Sequence, residues 1–249
     1  MLGIKGGVSL KIKSGNALIS ELLMKQFKFE AINKDSHNKD NIVYIVNCLS
    51  ACKIELMDRR EYYRARRVSV DSPGITYING VPINGFTAEE SGLAPKEKCK
   101  VGRANDEKEQ VLYVSEDEET AVKEVRTPNS DYASVATCLV EKEIKVFDFS
   151  PYTEQELERY VATSGLGKED TIESRVMLFI LLQRILTLQE YSEYDYLISR
   201  HFNSIIKEHF PHVSGIKYVS QFTGKINYAL WDENKYLMFT NGHITVNNY

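Results

Sequence analysis

Hydrophobic and polar positions change period several times along this chain, and each change marks an element. Between Ser14 and Asn33, Leu18, Leu22 and Phe29, with Ile19, Leu23 and Met24, form a broad apolar stripe at helical spacing behind a Ser14-Gly15-Asn16 start signal. The segment from Ile42 to Met57 keeps mostly helical spacing at Ile42, Val43, Ile45, Val46, Leu49 and Cys52, although its β-branched content leaves a strand open for its first part. The period then drops to two. Tyr62 to Arg67, continued by Val68 and Val70, alternates as a strand, which puts Arg64 and Arg66 on one face and Tyr63 and Ala65 on the other. Pro73-Gly74, Asn79-Gly80, Asn84-Gly85 and Ser91-Gly92 break up the next stretch, and the run from Thr76 to Ile83 predicts a hairpin around Asn79-Gly80.

A second strand is predicted at Val111 to Val114, running directly into a helix start at Ser115-Glu116-Asp117-Glu118 with a capping-box glutamate. In that helix Ala121, Val122 and Val125 face inward and Glu124 lies on a neighbouring face near the C-terminal half. Tyr132 to Val140 and Ile144 to Phe149 read as strands separated by the charged turn Glu141-Lys142-Glu143. Ser150-Pro151 opens a helix containing Leu157 and Val161. Thr171 or Ser174 opens another, carrying Val176, Phe179, Ile180 and Leu186, and Asp195 to Phe210 supplies a third. Strands follow at Gly215 to Ser220, Asn227 to Trp231 and Tyr236 to Thr240. Helices, a strand core with one inserted helix, more helices and closing strands together predict an α+β fold.

Composition narrows the classes. At 249 residues and 43% hydrophobic, the chain can bury a substantial core as one large domain, or as one domain with a small appended unit. A net charge of -4 gives no general bias toward nucleic acid, so direct nucleic-acid binding is not expected. The apolar runs fall short of the roughly 20 residues that a membrane-spanning helix needs. Met1 to Gly7 holds three glycines without a preceding strand or dinucleotide-binding spacing, and it lacks the apolar region of a secretory signal. Cys48, Cys52, Cys99 and Cys138 form no zinc pattern, and a proline interrupts His209 and His212, so no metal is expected. Unpatterned cysteines fit a reducing cytoplasm.

The candidate chemistry sits in two segments. Residues 102 to 126, GRANDEKEQVLYVSEDEETAVKEVR, carry Arg103 and Asn105 in a glycine-led turn, Tyr113 on the strand and Glu124 on the helix. Arginine presents a planar donor fork for phosphate or carboxylate, and a carboxylate nearby can accept from sugar hydroxyls or stabilise developing positive charge. From Arg59 to Arg67 the chain packs five arginines and two tyrosines, and the guanidinium groups of Arg64 and Arg66 can clasp a pyrophosphate. From the residues alone, a surface salt-bridge network fits the first segment equally well, and contact with RNA or an acidic surface fits the second.

The ordered set YYRAR at 62 to 66, the FTAEESGLAPKEK stretch from Phe86, GRAND at 102 to 106, VLYVSEDEETAVKEVR at 111 to 126, IKVFDFS at 144 to 150 and GIKYVSQFTGKINYALW at 215 to 231 resembles the RES domain family. The resemblance implies a core similar to the ADP-ribosyltransferase fold in residues 61 to 249. Residues 1 to 60 lie largely outside it, and their own helical signals predict an extension packed on that core, with an independent partner-binding module as the alternative. It further implies an NAD-consuming bacterial toxin, neutralised by a cognate antitoxin protein. Matched position by position, Arg64 and Arg103 would hold the pyrophosphate of NAD, with supporting ligand contacts from Arg66 and Asn105. Tyr113 would stack on nicotinamide or its ribose. Glu124 would bind the ribose hydroxyl and favour the oxocarbenium-like state, and Ser220 would orient nicotinamide or the glutamate. NAD is then a substrate rather than a recycled cofactor, and inorganic phosphate or water is the acceptor. Protein ADP-ribosylation and a catalytically silent nucleotide- or partner-binding protein are the alternative readings. A homo-oligomer is compatible with either.

Overall fold

The computed structural model describes residues 39–50, 52–125, 131–151, 193–231 and 237–246, with the single positions 153, 155, 156, 180, 183 and 186. The apolar stripe between Ser14 and Asn33 lies outside the described residues, as do most of the helices expected from Ser150 and from Thr171 or Ser174. The chain divides into two compact units, one formed by Met1–Lys53 and Asp148–Pro211 and the other by Ile54–Phe147 and His212–Tyr249.

In the first unit, helix α1 (Lys39–Leu49) packs against helix α4 (Glu193–His209). Ile45, Cys48 and Leu49 of α1 and Phe202, Ile205 and Ile206 of α4 are buried. Their spacing along each helix produces this inward stripe. Phe149 meets Phe202 edge-on, with ring centroids 5.4 Å apart. The expected helix from Ile42 to Met57 is corrected here. The helix ends at Leu49, and the segment's last residues form strand β1 (Ile54–Leu56), paired antiparallel with β7 (Lys145–Asp148). The edge of β7 supplies the β1 backbone with hydrogen-bond partners, and alternation then leaves Ile54 and Leu56 substantially exposed.

The second unit is built on a nine-stranded sheet. Its remaining strands are β2 (Glu61–Arg67), β5 (Val111–Ser115), β6 (Tyr132–Val140), β8 (Gly215–Val219), β9 (Ile226–Trp231), β10 (Leu237–Phe239) and β11 (His243–Val246). Their order is β1-β7-β8-β9-β5-β2-β6-β10, and β11 pairs with the first half of β6 beside β10. Between β2 and β5, Asn79 and Gly80 take positive φ values of 51° and 80° and turn the hairpin of β3 (Tyr77–Ile78) and β4 (Val81–Pro82), as the Asn-Gly pair predicts. Helix α2 (Ala88–Ser91) and helix α3 (Glu118–Glu124) complete the described elements used below. The unit is an α+β fold whose multi-stranded core and flanking helices are consistent with an ADP-ribosyltransferase-like arrangement.

Two apolar clusters form on this sheet. Tyr62, Leu112, Val114, Cys138, Tyr228 and Leu230 belong to the larger, where the rings of Tyr62 and Tyr228 meet edge-on at 5.2 Å. Ala65, Val135 and Ala133 lie under Ala121 and Val122 of α3 in the smaller, with Tyr63 and Val125 beside them. Small residues on the strands let the helix approach closely. Val70, expected to continue β2, instead lies beyond its end and is 80% exposed, because Ser69 to Ser72 form a turn closed by the Ser72 amide on the Ser69 carbonyl at 2.8 Å. No helix among the described residues is long and apolar enough to cross a membrane.

Gly85 and Gly242 bring two loops together beneath Ser134, whose hydroxyl accepts from the Phe86 amide at 2.9 Å. A Cβ on Gly85 would stand 2.2 Å from the Gly242 carbonyl oxygen, so backbone would have to move. Gly85→Ala is therefore expected to cost about 1–3 kcal/mol in urea unfolding, as overpacking does. Val70→Ala, at an exposed position, should stay within about 0.5 kcal/mol of the native chain.

Candidate active site

The turn before β5 is organised around the side chains of Tyr113 and Asn105. The Tyr113 hydroxyl accepts from the Ala104 amide at 2.9 Å and donates to Asn105 Oδ1 at 2.9 Å. Asn105 Nδ2 donates to the carbonyls of Lys100 at 2.8 Å and Asp106 at 2.9 Å, and the Gly102 amide bonds the Asn105 carbonyl at 3.1 Å. Asn105 thus spends its amide on the turn itself. A Cβ at position 102 would lie 2.5 Å from Asn105 Oδ1 and 2.9 Å from the Tyr113 hydroxyl, so close approach requires glycine there. Held this way, Arg103 is 8% exposed, with its guanidinium carbon 5.7 Å from the centroid of the Tyr218 ring. That distance permits a cation–π contact.

Arg64 and Arg66 sit on β2 on the face opposite Tyr63 and Ala65, as alternation requires. β2 and β5 pair only through Tyr63 and Ser115, whereas β5 pairs with β9 along its whole length. Where the two strands part, Arg64 Nη1 donates to the Tyr113 carbonyl at 3.1 Å, a side chain taking the place of a ladder bond. Arg66 Nη2 donates to the Gly92 carbonyl at 2.6 Å. The Nε atoms of both arginines are buried without a hydrogen-bond partner. Burial, then the neighbouring Arg66 charge, draws the Arg64 guanidinium down to about 9, and burial lowers Arg66 as well. At neutral pH Arg64 stays protonated. A buried cation with an unused N–H is suited to an anionic ligand, which would supply both the missing acceptor and the missing charge.

Helix α3 begins two residues later than expected. Its N-cap is Asp117, which accepts from the Thr120 amide at 3.0 Å. The proposed capping pair is occupied elsewhere: Ser115 stays in β5, and Glu118 accepts from Thr245 at 2.7 Å and meets His243 Nε2 at 2.9 Å, both from β11. Glu124 closes the helix. Its Oε1 accepts two short hydrogen bonds, from Ser220 Oγ at 2.6 Å and from Asn227 Nδ2 at 2.6 Å. Asn227 Oδ1 in turn accepts from Ser115 Oγ at 2.6 Å. Ser115, Ser220 and Asn227 are each at most 3% exposed.

The structure therefore gathers the expected residues into two linked groups. Glu124 and Ser220 are in direct contact, and Gly102, Arg103 and Asn105 are tied to Tyr113. Tyr113 and Ser115 share one face of β5, and Tyr218 pairs with Asn227 across β8 and β9, so both groups border the same face of the sheet. Arg64 and Arg66 lie on the other side of β2, linked to the rest through the Tyr113 carbonyl. Ser115 and Asn227 were missed as site residues. The available signal was a polar residue inside the buried run Ile226–Trp231, which needs a partner. Among the described residues, no cluster of three or more His, Cys, Asp or Glu can hold a metal ion.

No curated protein matches the chain. Among solved structures, a chain of the crystal structure of the M. tuberculosis MbcT-MbcA toxin-antitoxin complex is similar, with 12% identity and a TM-score of 0.42 over 82% of this chain and 92% of that chain. The RES domain matches residues 65–241, beginning one residue after Arg64 and taking in Arg66, Arg103, Asn105, Tyr113, Glu124 and Ser220. Because that match spans most of its length, the chain belongs to the RES domain family.

Proposed function

We propose that this chain degrades NAD by cleaving the bond between nicotinamide and ribose, with phosphate or water as the acceptor, and that it serves as a toxin restrained by a cognate antitoxin protein. Membership in the RES domain family supports an NAD-acting, toxin-type function. The observation that carries the finer reading is Glu124. Both hydrogen bonds to its carboxylate fall on Oε1, leaving Oε2 for a ligand. A carboxylate so presented can accept from a ribose hydroxyl and stabilise positive charge growing on the sugar.

In this mechanism the negatively charged pyrophosphate is held by Arg103, and Arg64, with support from Arg66, reaches it from the other side through the gap where β2 and β5 part. The ring of Tyr113 lies against nicotinamide or its ribose, while its hydroxyl and Asn105 keep the Arg103 turn in place. Nicotinamide departs with the electron pair of the glycosidic bond, which neutralises its pyridinium nitrogen and leaves an oxocarbenium-like ribose facing Glu124. A phosphate or water oxygen then forms the new bond to the anomeric carbon. Water loses its proton to solvent as it adds.

Mass spectrometry of the full chain incubated with NAD, with and without phosphate, tests this. The expected outcome is nicotinamide release by the native chain and a loss of about 100-fold or more in Glu124→Gln, in line with removing an electrostatic stabiliser. Phosphorolysis would give ADP-ribose phosphate only when phosphate is present, and hydrolysis would give ADP-ribose in both conditions. A folded native chain that releases no nicotinamide under either condition would overturn the proposal. Gly102→Ala, which displaces the turn carrying Arg103, is expected to raise KM for NAD about tenfold or more, measured by steady-state nicotinamide release.

A further inference from the structure

The hydrogen bonds around Glu124 have a common direction. The Phe222 amide donates to Ser220 Oγ at 3.2 Å, and Ser220 donates to Glu124 Oε1. On the other side Ser115 donates to Asn227 Oδ1, and Asn227 Nδ2 donates to the same Oε1. Each link passes a proton donor toward the carboxylate, so the two chains polarise in the same sense.

We infer that Asn227 is a positioning residue for Glu124: locked by Ser115, it and Ser220 hold Oε1 from two sides so that Oε2 faces the ligand. The inference rests on the role proposed above for Glu124. An asparagine amide has two orientations that differ only in which end faces a neighbour. With its oxygen toward Glu124, two acceptors would collide. The Ser115 hydroxyl, fixed on β5 directly opposite Asn227 on β9, donates to that oxygen and selects the productive orientation. Deep burial makes the selection strict, because an amide 2% exposed has no water to compensate a wrong turn.

Isosteric replacement converts this into a measurable effect. Asn227→Asp sets a second carboxylate beside Glu124, and two carboxylates at hydrogen-bond distance cannot both ionise freely. Among the ionisable groups on this side of the sheet, Arg67 pairs with Asp131 at 2.8 Å, Lys225 lies 3.5 Å from Asp117, and the Tyr113 hydroxyl is held in the turn. Arg103 lies against Tyr218, and Glu61 and Tyr63 lie on the same face of β2 as Ala65. A carboxylate added at position 227 makes ionisation at the pair harder, so activity that needs an ionised Glu124 is lost at a higher pH in that variant.

The test is the pH profile of kcat/KM for nicotinamide release from NAD, using the full chain and the variants Asn227→Asp, Asn227→Ala and Ser115→Ala. Asn227→Asp should move the acid limb up by about one pH unit or more. Asn227→Ala should lower kcat/KM by roughly 10- to 100-fold, and Ser115→Ala should shift the limb in the same direction by less. An acid limb that stays in place in Asn227→Asp and Ser115→Ala would overturn the inference, since a merely structural role lowers activity without moving the limb. If the Asn227 variants fail to fold, Ser115→Ala decides. A native chain without turnover sinks the functional reading instead. Titration of the Glu124 carboxyl by carbon NMR, which needs no turnover, would then still decide whether Asn227 and Ser115 govern its ionisation.

Discussion

One backbone pair, Tyr63 with Ser115, joins β2 to β5, and the arrangement of the candidate site follows from that short seam. A longer ladder would seal the sheet and occupy the Tyr113 carbonyl with a backbone amide. Because the strands part, that carbonyl is left to Arg64, a side chain able to donate to protein and ligand at once. On the other flank β5 is paired along its whole length with β9, so Ser115 and Asn227 are held in strict register. A rigid edge and an open edge thus meet in one five-residue strand.

Rigidity around the site comes from neutral hydrogen bonds more than from ion pairs. Arg67 with Asp131, for example, pairs two exposed side chains and contributes little to stability. The bonds that fix the turn at Gly102 and the carboxylate of Glu124 come from buried or half-buried amides and hydroxyls, where water does not compete. Neutral donors can orient a carboxylate without cancelling its charge. An arginine paired directly with Glu124 would spend the same charge that the proposed chemistry uses.

Much of this architecture is legible in the sequence where one physical signal acts alone. Alternation places Arg64 and Arg66 correctly, and the run read as a strand from Tyr132 to Val140 has the bounds of β6. Asn79-Gly80 announces its hairpin through the positive φ both residues adopt. Prediction fails where distant partners compete for a local group. Ser115 and Glu118 have the spacing of a capping box, yet Asn227 and β11 claim them, and Asp117 caps the helix instead. The end of the Ile42 to Met57 segment looks helical by periodicity and becomes a strand because β7 offers its edge. Asn227 stands out in sequence only as a polar residue in an apolar run, and its role is set by two partners far from it along the chain.

The junction of Glu118 with His243 and Thr245 reaches beyond packing. It ties the first turn of the helix carrying Glu124 to β11, which also closes onto β6. Ser220 and Asn227 likewise follow the glutamate by a long stretch of chain. While the protein is being synthesised, Glu124 therefore leaves the ribosome well before the groups that hold its carboxylate and its helix. The carboxylate can take its two hydrogen bonds only after Ser220 and Asn227 have emerged, so the held form of Glu124 is a late product of synthesis.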